Sequence, residues 1–345
     1  MKLIELHILQ SFPVSCLNRD DVGSPKSSLF GGVTRARISS QCLKRASRLL
    51  ARETHDSKSF EGVRSRHLFQ PFREALQNAG IEPEKAAGQA EELCTLFSKP
   101  DSKHPDQVTT AVYLSPGEIE QIARSIATGV EPKKAIKSAT RTDAADIALF
   151  GRMVANDPNL NIEGASMFSH ALSTHLANNE VDFFSAVDDR KDGAEDAGAG
   201  MIGSLEFNSA TYYRYVAINL DLLAKQSHLG DLAEDERKAI LRSFIRAVLM
   251  AVPNARKNSM NAGTLPHEVL GIHKEKGQPL QLINAFEAPV RNKDSKGIGF
   301  AQASLDKMKT HLADIEKTWG DQGEKHYLTE TEGGIDTFIN ELLKD

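Results

Sequence analysis

Residues 2–52, KLIELHILQSFPVSCLNRDDVGSPKSSLFGGVTRARISSQCLKRASRLLAR, decide the fold class, because they read in order as strand, long loop, short strand and basic helix. Ile4, Leu6 and Ile8 alternate over residues 2–10 like one face of a strand, and Ser11-Phe12-Pro13 reads as its end. The loop from Ser11 to Gly32 is long, and loops of that length in a compact domain usually carry function. Phe30-Gly31-Gly32 closes it with two residues free to take positive φ. A short strand is predicted over Val33–Ile38, after which Ser39 or Ser40 can cap a helix running to about Arg52. In that helix Leu43, Ala46 and Leu50 recur as a packing face, while Lys44, Arg48 and Arg52 form a cationic stripe.

Further along, residues 58–142 break into helical patches, such as Phe72–Ala79 and Glu84–Phe97, separated by Gly80, Pro83, Pro100, Pro105 and Pro116. This reads as a helical insertion. Asp146–Met153 has strand-like composition, and Ala165–His175 is a further candidate strand. Val187–Gly203, with its acidic turns and glycines, reads as a mobile projection flanked by residues that can pair as a hairpin. Thr211–Leu220 is aromatic and β-branched at period two, the clearest internal strand. Glu234–Val252 is a helix stopped by Pro253, Gln281–Val290 a last strand, and Ala301–Trp319 a final helix. The order β, α, insertion, β, hairpin, β, α, β, α predicts an α+β fold with an RRM-like, that is ferredoxin-like, βαββαβ core interrupted by two excursions.

The charge is unevenly spread. Residues 1–52 hold nine Lys and Arg against Glu5, Asp20 and Asp21, a local charge of +6, whereas the other 293 residues carry 33 basic and 44 acidic side chains, or −11. A cationic surface on an otherwise acidic chain of 345 residues is best explained by a polyanionic ligand. The Gly-Gly turn, Arg35 and Arg37 on the strand after it and the helix N-terminus converge there, and each favours phosphate. Aromatic residues are only 6% of the chain and no RRM stacking signature is present, so backbone-directed contacts are expected. No signal-peptide or membrane-spanning run is seen, which predicts a cytoplasmic protein without membrane contact. Cys16, Cys42 and Cys94 form no CxxC pair and are expected to be reduced.

Asn18-Arg19-Asp20-Asp21 also admits an enzymatic reading, since adjacent carboxylates beside a phosphate track could hold a divalent cation and hydrolyse RNA. The simpler reading is that Asp20 and Asp21 order the loop. His170 and His175 are five apart, which does not set two ligands on one helical face, and no metal site or cofactor is expected. A phosphate-binding metabolic dimer is a third possibility and would need a concave apolar pocket.

SCLNRDD, LFGG, R-x-RISSQ-x-LKRA, DIALFGRM, AVDD and YYRY together closely resemble the type I-E CRISPR Cascade backbone subunit, CasC of the Cas-seven family, over most of the chain. The resemblance implies a palm from residues 1–57, 143–176 and 212–345, helical fingers at 58–142 and a β-hairpin thumb at 177–211. It implies a non-catalytic subunit that polymerises with copies of itself, alongside other Cascade subunits, along a CRISPR RNA that pairs with target DNA in antiviral defence. By motif, Arg19, Lys26, Ser39, Gln41, Lys44, Arg45 and Arg48 would grip the guide backbone, and Met153 and Ile202 would wedge its bases. Leu is usual where Ile202 stands. Relatives in type III systems cleave RNA with a loop Asp, so Asp20 or Asp21 keeps the ribonuclease alternative in view.

Overall fold

The computed structural model describes residues 1–55, 58–104, 106–140, 143–154, 156–186, 201–291 and 297–344. In chain order the elements are β1 (Leu3–Ser15), β2 (Ser27–Phe30), β3 (Val33–Ile38), α1 (Ser40–Thr54), β4 (Val63–Ser65), α2 (Phe69–Asn78), α3 (Pro83–Phe97), β5 (Val112–Leu114), α4 (Pro116–Ala127), α5 (Pro132–Ser138) and α6 (Ala145–Phe150). They continue with β6 (Ser166–Phe168), β7 (Ala171–Ser173), β8 (Glu180–Ala186), β9 (Met201–Asn219), α7 (Leu220–Leu223), α8 (Glu234–Met250), β10 (Glu268–Lys274), α9 (Gly299–Trp319), β11 (Glu324–Tyr327) and α10 (Gly334–Leu342). Two units divide these elements. One comprises Met1–Leu3, Arg48–Met167 and Ile218–Ala247, and the other Ile4–Ser47, Phe168–Ala217 and Val248–Asp345.

The second unit is built on a sheet of order β11-β10-β1-β9-β7-β3-β2. An interior strand, β1, is buried from Leu3 to Gln10 on both faces. The alternation of Ile4, Leu6 and Ile8 with Glu5, His7 and Gln10 therefore does not separate core from solvent; it separates an apolar layer from a buried polar one. Each polar side chain has a partner there, as a buried polar group must. Glu5 meets the Lys274 ammonium at 2.6 Å and accepts from the Tyr215 hydroxyl and the Leu280 N–H, both at 2.6 Å. His7 Nδ1 lies 2.9 Å from the Tyr213 hydroxyl, and Gln10 donates to the Thr264 carbonyl at 2.6 Å.

Several sequence expectations need correction. β1 runs through Phe12-Pro13 to Ser15 rather than ending there. Asp146–Met153 is not a strand: α6 occupies most of it and Gly151, at φ +80°, ends the helix. A short run that is buried nearly all round carries no period that separates strand from helix. Gln281–Val290 is likewise not a strand but a 3₁₀ turn at Ile283–Phe286. The strand of that region is β10, whose seven residues are all buried. Ala165–His175 divides into β6 and β7. The expected hairpin is present as β8 against β9, paired from Glu180↔Phe207 to Ala186↔Met201; the projection at 187–200 lies outside the described residues. All three cysteines are free.

The first unit holds the helical segment. α2 packs on α3 and α4, and α4 on α5, around Phe72, Leu76, Leu93, Phe97 and Ile122. Among the described residues no helix is long and apolar enough to cross a membrane.

Arg35 is the side chain that fastens β3. Fully buried, it donates to the carbonyls of Phe30 (3.2 Å), Ser173 (2.9 Å), Phe286 (2.7 Å) and Glu287 (3.3 Å). The β2–β3 turn is thereby drawn so close to Glu287 that a Cβ on Gly31, at φ +60°, would overlap the Glu287 carbonyl. Gly32, at φ +75°, faces open space. Gly31→Ala should therefore cost about 2 kcal/mol or more, against roughly 1 kcal/mol for Gly32→Ala, which bears the φ penalty alone. Urea unfolding of the two variants checks the difference.

Candidate nucleic-acid interface

In the second unit, Asn18 organises the predicted cationic loop. Its side-chain oxygen accepts the Ser39 N–H and its carbonyl accepts the Lys26 N–H, both at 2.8 Å. Lys26 is held from the other side as well, because its carbonyl accepts the Arg37 N–H at 2.8 Å. Arg19 is exposed and bridges Pro25. Between them Asp20 Oδ1 accepts the N–H groups of Val22 (3.0 Å) and Ser24 (2.9 Å), so this carboxylate shapes the turn that sets Arg19 and Lys26 in place. Asp21 is exposed.

The start of α1 lies against this loop. Ser39 is buried and its hydroxyl caps the helix by accepting the Cys42 N–H at 3.3 Å, a role that uses an oxygen lone pair and not the O–H donor. The Ser40 N–H donates to His170 Nδ1 at 3.3 Å, and Gln41 is exposed. Lys44 is half-buried with its ammonium 5.6 Å from the centre of the Phe168 ring, and burial lowers its pKa. Arg45 is exposed; it and Lys26 both act on the Cys42 thiol, although burial dominates and pushes that thiol up. His170 is held below the ordinary imidazole range by burial and then by Arg37 and Lys26, so the ring stays neutral with Nδ1 accepting. Sequence spacing dismissed this histidine, and only its spatial neighbours reveal it.

Not every cation of residues 1–52 faces outward. Arg35, counted with the phosphate-favouring residues, is the buried pin described above. In the first unit, Arg52 donates to the Phe60 carbonyl at 2.7 Å and to the Gly62 carbonyl, and lies 3.7 Å from Asp146. Arg48 is half-buried, with its guanidinium 5.4 Å from the Tyr113 ring centre and Nη1 3.2 Å from the hydroxyl. Burial, followed by the Asp146 carboxylate, raises the Tyr113 pKa and keeps that hydroxyl protonated.

Met153 is 77% exposed and is thus no core residue. Its two neighbours are both bonded into the fold. Arg152 is buried in an ion pair with Glu118 at 2.8 Å and exchanges backbone hydrogen bonds with Ile162; Val154 is buried and its N–H donates to the Asn161 side chain at 2.6 Å. Gly151 permits the tight approach, since a Cβ there would meet the Ile162 carbonyl at 2.8 Å. In the second unit, Ile202 stands on β9 opposite Ser185. One pair away, Gly203 makes room for Phe184, whose ring a Cβ would meet at 2.5 Å. Phe183, 75% exposed on β8, is an apolar group that the low aromatic content obscured. Among the described residues no three His, Cys, Asp or Glu side chains converge as a metal site.

Comparison with known proteins decides the family: a model described as CT1975-like protein matches residues 4–342. The chain belongs to the CT1975-like family. The resemblance drawn from SCLNRDD to YYRY is thereby borne out, since CT1975-like proteins are the Cas-seven backbone subunits of type I-E Cascade. A chain of a solved "CRISPR RNA-guided surveillance complex, pre-nicking" is 27% identical with a TM-score of 0.80, and the match covers 99% of this chain and 100% of that one. A chain of a second "CRISPR RNA-guided surveillance complex" shares the fold at 24% identity and a TM-score of 0.62, covering 97% and 92%. No curated protein matches. The CT1975-like chain is thus a non-catalytic backbone subunit of a CRISPR RNA-guided surveillance complex.

The Arg152–Glu118 pair gives the Met153 segment a measurable property. Glu118→Ala leaves a buried guanidinium without its counter-charge and should destabilise by about 3–5 kcal/mol. The double variant Glu118→Leu/Arg152→Met should recover most of that loss in thermal unfolding.

Proposed function

We propose that this chain grips the sugar–phosphate backbone of a CRISPR RNA and polymerises along it with copies of itself. The guide bases are thereby presented for pairing with target DNA in antiviral defence, alongside other Cascade subunits in the cytoplasm. The observation that carries the reading is the grouping of Arg19, Lys26, Lys44 and Arg45 around the first turns of α1 in an otherwise acidic chain. Cations of this kind bind by releasing the counterions of a polyanion, and they hold position without reading sequence. Specificity then resides in base pairing.

In this reading Ser39, Gln41 and Arg48 join the backbone contacts. Met153 and Ile202 wedge the guide, an arrangement in which lost stacking is offset by apolar contact. The strand path β10-β1-β9-β7, with α1 and α8 following β1 and β9, matches the order of a ferredoxin-like βαββαβ unit and supports an RRM-like palm of residues 1–57, 143–176 and 212–345. Residues 58–142, inside the first unit, would be the fingers, and 177–211, with the β8–β9 hairpin, the thumb. The ribonuclease alternative gains nothing from the loop, where Asp20 is engaged by two backbone amides.

Sedimentation velocity with single-stranded RNAs of graded length, at low salt and in EDTA, tests the reading. The bound species is expected to grow stepwise with RNA length. A single protein bound at every length contradicts polymerisation, and no binding contradicts the RNA reading.

A further inference from the structure

Arg48 and Arg52 stand one turn apart on the cationic stripe of α1, and the first unit uses them differently. Arg52 donates to the carbonyls of Phe60 and Gly62, with the Asp146 carboxylate 3.7 Å away. Arg48 makes one hydrogen bond among the described residues, from Nη1 to the Tyr113 hydroxyl at 3.2 Å, and its guanidinium lies 5.4 Å from the centre of the same ring. A guanidinium has five N–H donors, so most of those on Arg48 are left for a ligand.

The support beneath Arg48 belongs to the core. Tyr113 is only 8% exposed, and it clusters with Ala144, Ile147 and Ile162. Its backbone is held on β5, paired with Arg64 of β4. Gly62 makes room for the ring beside Asp146, since a Cβ there would lie 2.7 Å from the ring edge and 2.6 Å from Asp146 Oδ1. Asp146 is fully buried, and Oδ1 accepts the N–H groups of Gly62 (3.2 Å) and Ile147 (3.0 Å). A hydroxyl that accepts from a guanidinium turns its own proton elsewhere, and the Asp146 carboxylate acts on this hydroxyl. The main chain of Tyr113 has a second role. Its carbonyl accepts from Nη1 of Arg152, the residue before Met153, at 3.3 Å. One buried residue is thus bonded both to Arg48 and to the base of the Met153 segment.

We propose that Tyr113 is a positioning residue of the RNA interface, which does not touch RNA but holds the Arg48 guanidinium ready for a guide phosphate on the scaffold that carries Met153. The inference rests on the RNA-binding reading above. Without the ring and hydroxyl, the long Arg48 side chain has to be ordered at the moment of binding instead of beforehand.

A double-mutant cycle distinguishes positioning from a purely structural role, because a residue that acts through Arg48 has nothing left to act on once Arg48 is gone. Binding of a fluorescent oligouridylate would be followed by anisotropy for Arg48→Ala, Tyr113→Leu, their combination and Arg19→Ala, with melting temperatures measured alongside. Tyr113→Phe, which keeps the ring and removes only the hydroxyl, carries the same cycle through a variant that preserves the packing. Arg48→Ala should weaken binding about tenfold and reduce the slope of log K against log salt by about 0.7, the loss of one phosphate contact. Tyr113→Leu should weaken binding about threefold and Tyr113→Phe about twofold, the scale of ordering one long side chain. Each Tyr113 substitution combined with Arg48→Ala should bind like Arg48→Ala alone. Losses that multiply in the combined variants overturn the proposal, as do Tyr113 variants that bind like the parent while Arg48→Ala is weakened. If Arg19→Ala weakens binding and Arg48→Ala does not, the positioning role is wrong and the RNA reading stands. If no variant weakens binding, the RNA reading falls and the positioning role with it.

Discussion

A single buried guanidinium ties together four separate carbonyls of the second unit. Arg35 reaches Phe30 at the end of β2, Ser173 in β7, and Phe286 and Glu287 after the 3₁₀ turn. Removing a charge from water is costly, and burial lowers the pKa of this arginine accordingly. The cost is offset because the guanidinium donors meet four backbone carbonyls. Once Arg35 is fixed, β3 is fixed in register with β7 through Arg37↔Leu172 and Ile38↔Ala171. Ser39 then falls where Asn18 can accept its N–H and where it can cap α1. The exposed cations follow from that chain of constraints.

The same division of labour between buried and exposed charge recurs through the molecule. Arg214 is fully buried, donates to Gln10 and to the Val248 carbonyl, and has its pKa lowered by burial to about 10. Arg152 is neutralised by Glu118 and leaves the adjoining Met153 projecting. Arg19 and Arg45, by contrast, are exposed. Counting cations along the chain is a poor guide to a binding surface here, and what separates the two classes is whether carbonyls or carboxylates already occupy the donors.

The sequence makes some of this legible and hides the rest for identifiable reasons. α1, β3, α8 and α9 are readable because each has a clear period, a cap or a stopping proline. The β8–β9 hairpin is readable from its glycines and the aromatic alternation after them. Strand β10 is missed because both its faces are buried, so EVLGIHK shows no alternation to find. The helix α6 is mistaken for a strand for the related reason that five of its six residues are buried. At the candidate interface, Arg19, Lys26 and Arg45 are legible as local charge, whereas the contacts of Arg35 and His170 are made with residues more than a hundred positions away. No local pattern encodes those.

The central claim is that the exposed cations on the Arg35-anchored scaffold bind the RNA backbone. The most direct measurement is the salt dependence of oligouridylate binding for the parent chain and for Arg19→Ala/Lys26→Ala/Arg45→Ala. Each phosphate contact contributes about 0.7 to the slope of log K against log salt for a single strand. The account predicts a slope shallower by about 2 in the triple variant, with the melting temperature unchanged. An unchanged slope in a folded triple variant would contradict it.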